Sequence, residues 1–147
     1  MTSRISVFNS KELQGTILLV RGAAREIAKE IRQRTKAVIL PEWQEAVKAE
    51  SSTPLEMAVE AATARVAVSD QNVTLSVGTV GRALSGGGTP RELIVGTEFG
   101  ASTKKQFKAR NKKGNVFYPA AAKVIPRLAS LWVQTTIRTF YEILERK

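Results

Sequence analysis

Apolar residues recur along this chain with two different periods, and the changes between them mark out its elements. From Leu13 the apolar positions are Ile17, Val20, Ala24, Ile27 and Ile31, alternating steps of four and three. That is a single stripe on a helix, and Ser10 stands where an N-cap belongs. Arg25, Lys29, Arg32 and Lys36 make a second, charged stripe, and Glu30 and Arg34 have the i,i+4 spacing of an ion pair. The pattern predicts a helix from Ser10 to about Val38. Pro41 is expected to end it and to open a short helix, PEWQEAVKAE, in which proline takes the first position. A further short helix is predicted at STPLEMAVEAATAR, because Thr53 precedes Pro54 and Glu56 lies three positions after Thr53, a capping-box signature.

The period then falls to two. ARVAVS (64–69) and VTLSVG (73–78) alternate around the turn residues DQN, which predicts a β-hairpin with Val73, Leu75 and Val77 on one face. RELIVGTEFG reads as a third strand around Leu93 to Phe99, after a glycine-rich loop. The helical period returns at Ile125, Leu128, Trp132, Thr136, Phe140 and Leu144, broadened by Leu131 and Tyr141. Pro119 suits the first turn of this last helix, and Pro126 either kinks it or marks its start. The order predicts one α+β domain over residues 1–147: a small antiparallel sheet of three or four strands packed with a long N-terminal and a long C-terminal helix.

Charge changes the picture most in the last third. The chain has 23 lysines and arginines against 13 acidic residues. Residues 1–50 hold nine basic and six acidic groups, residues 51–100 three and five, and residues 101–147 eleven and two. The excess concentrates in KKQFKARNKKGN (104–115), inside a loop spanning 101–116 that is expected to be flexible. Such asymmetry points to a polyanion or an acidic protein surface as partner.

Candidate chemistry is sparse. There is no cysteine or histidine and one aspartate, Asp70. Thiol chemistry and disulfides are excluded, the commonest metal ligands and general base are absent, and neither a catalytic site nor a cofactor is expected. The glycines at 78–88 lack the GKS or GKT of a phosphate loop. No signal peptide or membrane span is evident, so a soluble protein made in a cytoplasm is expected, with no membrane partner. The candidate contact residues are Lys104, Lys105, Phe107, Lys108, Arg110, Lys112 and Lys113. The cations could meet phosphates or acidic side chains. Phe107 could anchor an interface or fold back onto the core.

The segment LIVGTEFGAS, the basic loop and GNVFYPAAAKVIPRLASLWVQTTIRTFYEIL together resemble the neck or tail-completion (head–tail joining) proteins of long-tailed phages. In that family a strand ends in an aromatic–glycine pair, a variable polar loop follows, and an aromatic–proline–alanine entry opens the last helix. Phe99–Gly100 matches the pair, and Phe117, Pro119 and Ala120 match the entry. Residues 93–146 carry the resemblance, and residues 10–38 share its helical pattern. It implies a structural virion protein at the head–tail junction, assembled in the host cytoplasm into a ring, commonly six-fold. The implied partners are other copies of itself, the connector, tail-tube or terminator proteins, and DNA in the channel through non-specific contact. A tail-terminator ring protein and a small non-specific DNA-binding protein are the alternatives.

Overall fold

A computed structural model describes residues 1–6, 11, 14–15, 25–79, 81–84, 87–101 and 107–145. The described elements are β1 (Thr2–Ser6), α1 (Arg25–Glu50), α2 (Pro54–Val59), a 3-10 turn (Ala61–Thr63), β2 (Arg65–Val68), β3 (Asn72–Ser76), α3 (Pro90–Phe99) and α4 (Phe117–Glu145). The protein is α+β, as its patterning predicts, with a three-stranded antiparallel sheet in the order β1-β3-β2 and two long helices. Contacts divide the chain into two compact units. The first takes Met1–Ser3, Trp43–Arg65 and Leu75–Val124, and the second takes Arg4–Glu42, Val66–Thr74 and Ile125–Lys147.

The hairpin forms where alternation and turn chemistry coincide. Ser69 accepts the N–H groups of Gln71 and Asn72 on its hydroxyl, at 3.3 and 3.0 Å, and Val73, Leu75 and Val77 are fully buried. The third strand is not where the pattern put it. It is β1, and beside it the Met1 carbonyl accepts the Val77 N–H at 3.0 Å while the terminal ammonium donates to the Val77 carbonyl at 3.1 Å.

The segment expected as a strand around Leu93 to Phe99 is instead helix α3. Thr89 caps it, accepting the Glu92 N–H at 3.3 Å, and Pro90 takes its first turn. The buried positions, Pro90, Ile94, Thr97 and Glu98, keep helical spacing, while Val95 is 63% exposed. Thr-Pro-x-Glu at 89–92 repeats the Thr-Pro-x-Glu that opens α2 at 53–56, so the same start signal nucleates both helices. The aromatic–glycine pair Phe99–Gly100 therefore ends a helix, with Gly100 at φ 74°.

Pro41 does not end α1, which runs through it to Glu50. Pro126 likewise lies inside α4, which starts at Phe117. A proline leaves the carbonyl four residues earlier without its donor. Pro41, Pro126 and the residues four before them, Ala37 and Ala122, are all exposed, so the orphaned carbonyls are open to solvent. Burial of Ile39, Trp43 and Val47 on the other side of α1 offsets the cost. Of the helix expected from Ser10, only Lys11, Gln14, Gly15 and the part from Arg25 onward lie among the described residues, and all of these are helical.

In the first unit Trp43 meets Phe117 edge to face at 5.6 Å and donates its indole N–H to the Ser76 carbonyl. Ala120, Ala121 and Val124 of α4 are buried with them. The second unit has its own cluster, Ala28 and Ile31 with Ile27 and Phe140. There Arg34 binds both Glu30, at the predicted i,i+4 spacing, and Glu142. Arg127 pairs with Glu42 at 3.0 Å.

Candidate functional site

The basic loop lies in the first unit, between the end of α3 and the start of α4. Every helix leaves four carbonyls unpaired at its C-terminus, and here the cap residue Gly100 satisfies one of α3's and the loop the other three. Gly100 N–H donates to the Gly96 carbonyl, the Asn115 side-chain amide to Thr97, the Asn115 N–H to Glu98, and the Asn111 N–H to Phe99, at 2.7–3.1 Å. Asn111 also receives the Lys113 N–H on its side-chain oxygen at 3.1 Å and donates its amide to the Gly114 carbonyl and the Asn115 side chain. These are the local turns asparagine favours.

The start of α4 has the opposite need, for acceptors. The Glu98 carboxylate meets it, receiving the N–H groups of Val116, Phe117 and Tyr118 at 2.9, 2.7 and 3.1 Å. Pro119 has no N–H to satisfy, and Ala120 bonds back to Val116 at 2.9 Å. A carboxylate at a helix N-terminus also meets the positive end of its dipole. Glu98 is thus fully buried and anchors α4 to α3. Gly114 makes room for it. At φ 87° a side chain would be strained there, and a Cβ would overlap Oε2 of Glu98.

Glu60, also fully buried, faces this carboxylate. Burial first, and then the Glu98 and Glu56 carboxylates, push its pKa up to about 9, against a weaker pull from the Phe117 N–H. Neither of its side-chain oxygens has a hydrogen-bond partner among the described residues, so burial and the neighbouring carboxylates favour the neutral acid.

Glu56 differs. Burial alone would push its pKa up, but the Ser52 N–H and the Lys108 ammonium outweigh it and hold the pKa below the usual carboxylate range. Its carboxylate accepts from Ser52 and Thr53 in the capping box of α2, and Lys108 reaches it at 3.1 Å. Lys108 also donates to the Ser52 hydroxyl at 2.6 Å. The structure therefore pins one of the expected contact lysines to its own fold.

The remaining candidates separate clearly. Arg110, Lys112 and Lys113 are exposed and have no ion pair among the described residues. Phe107 is half-buried, its ring so close to Gly96 that a Cβ there would stand 2.7 Å from it, so this aromatic folds back onto α3. Lys104 and Lys105 lie outside the described residues.

Outside the anchored backbone is a feature that reading the chain as a line of charges misses. Phe99, Tyr118, Pro119 and Ala122 floor an open cleft of about 680 Å³ whose other lining residues are Lys112 and Lys113. A second hollow of about 460 Å³ is lined by Phe99, Gly100, Arg110, Asn111 and Lys112. The Phe99 and Tyr118 rings lie 5.7 Å apart, tilted at 37°, and Tyr118 is 44% exposed. The sequence signal for this cleft is the pair of aromatics bracketing the basic run, and the helix at 90–99 is what brings them together.

Among the described residues no cluster of His, Cys, Asp or Glu could hold a metal ion, and no helix is long and apolar enough to cross a membrane. Compared with protein-family models, curated proteins and solved structures, the chain matches none.

Proposed function

We propose that this protein is a non-catalytic structural component of a tailed-phage virion, forming a ring at the head–tail junction that joins the connector to the tail. Its setting comes from the resemblance carried by residues 93–146. One element of that resemblance is altered, because Phe99–Gly100 closes a helix rather than a strand. The observation that carries the reading is the division within the loop. Glu98, Asn111 and Asn115 hold its backbone, while Arg110, Lys112 and Lys113 project into solvent. A segment held this way, with Arg110, Lys112 and Lys113 turned to solvent, is suited to docking against an acidic neighbour.

Antibody labelling of particles from the source phage, viewed by electron microscopy, tests this. Label at the head–tail junction is the expected result. No label anywhere, with the protein missing from particle digests, overturns it, and label confined to free tail ends favours a terminator. The excess of 23 basic over 13 acidic residues favours a second reading, non-specific DNA binding. That reading requires affinity to fall steeply with salt, by a log–log slope of about 0.9 per phosphate contacted.

A further inference from the structure

The cleft beside the loop combines two surfaces that a simple charge patch lacks. Its floor is apolar and aromatic, formed by Phe99, Tyr118 and Pro119, and its lysines line the same hollow. Arg110 lines the adjoining one, which shares Phe99 and Lys112. From this arrangement we infer that the cleft binds an acidic segment of a partner protein. One apolar side chain of that segment sits on Phe99 and Tyr118, and flanking carboxylates reach Lys112, Lys113 and Arg110. The inference rests on the docking reading above and names the chemistry of its partner.

Three observations favour a peptide over a nucleic acid. A helix N-terminus binds phosphate through its free N–H groups, but Glu98 already occupies those of Val116, Phe117 and Tyr118. The Phe99 and Tyr118 rings pack against each other at 37°, which leaves no parallel gap for a base to enter. The apolar floor would also stay wet under a phosphate backbone, whereas an aliphatic or aromatic side chain covers it. Carboxylates complete the fit, because arginine and lysine without acidic partners bind them with charge-assisted hydrogen bonds.

The test titrates the isotopically labelled full chain with a blocked peptide carrying one phenylalanine between pairs of aspartates, followed by amide NMR. The controls are the same peptide with serine at the centre and an oligothymidylate strand. The expected result is millimolar or tighter binding, with shifts confined to residues 99, 110–113 and 118–122. Affinity should fall about tenfold with the serine peptide and about tenfold in Tyr118→Ser. The double variant Lys112→Glu/Lys113→Glu should abolish binding while keeping the wild-type melting midpoint. Shifts absent at millimolar peptide, or equal binding of the two peptides, overturn the inference. Tighter binding of oligothymidylate at these residues reassigns the cleft to nucleic acid and equally overturns it. Particle labelling separates the two levels. Junction label without peptide binding removes the cleft assignment alone, and peptide binding without label removes the ring reading alone.

Discussion

The two sides of the segment from Phe107 to Tyr118 obey different rules. On the inside, donors and acceptors are matched: Asn111 and Asn115 supply three donors to the last carbonyls of α3, and the Glu98 carboxylate accepts three N–H groups at the start of α4. On the outside, Arg110, Lys112 and Lys113 meet solvent and an open cleft. Equal polarity along the sequence thus hides unequal energetics. A buried group left without its partner costs about 1–3 kcal/mol, whereas an exposed charge alters stability by a few tenths. The inner residues should govern folding and the outer ones should govern what the protein touches.

The largest effect is expected from Glu98→Ala, which strands three N–H donors at the start of α4. Urea unfolding should show a loss of roughly 3–5 kcal/mol. A loss below about 1 kcal/mol would mean that Glu98 is not the anchor. Next comes pH. The folded pKa of Glu60 lies at about 9, above its ordinary 4.5, so its contribution is complete below the ordinary value and is lost as pH rises through the folded one. Stability from this group should therefore decline between about pH 4.5 and 9. Glu56, held below its ordinary value, acts in the opposite sense: its contribution is present above that value and is lost on acidification. Glu60→Gln removes the titrating group and should flatten the decline, and melting midpoints across the pH range check it. A wild-type profile already flat there would contradict the raised pKa of Glu60. Smaller again is Gly114→Ala, with strain at φ 87° and overlap with Glu98, expected to cost about 1–3 kcal/mol in the same urea assay.

These anchoring residues were not legible in the sequence, although much of the fold was. Local signals survived in the alternation at 64–78 and the capping box at Thr53, and in the last stripe Leu128, Trp132 and Thr136 are buried whereas Tyr141 and Leu144 are exposed. Helix α3 differs from the expected strand because a short apolar run suits a buried strand and a helix equally, and the Thr89–Pro90 start, like Thr53–Pro54, decides for the helix. Strand β1 carries little pattern of its own, because Ile5 is its one buried apolar residue and its partner β3 lies some seventy positions along the chain. Nothing in the sequence sets Glu60 and Glu98 apart from the other glutamates. Their burial depends on which elements pack around them, and no spacing rule encodes that. The basic run alone does not distinguish Lys108, tied to Glu56, from Lys112 and Lys113, which are exposed and have no ion pair among the described residues.

The triple variant Arg110→Glu/Lys112→Glu/Lys113→Glu carries the smallest expected effect on stability, within about 0.5 kcal/mol of wild type, and so isolates the outer side. Incorporation of this variant into particles, read by antibody label at the head–tail junction alongside its melting midpoint, tests the division between folding and docking most directly. An unchanged midpoint with label lost from the junction is the expected result. Wild-type labelling, or a midpoint that falls together with the label, would contradict it.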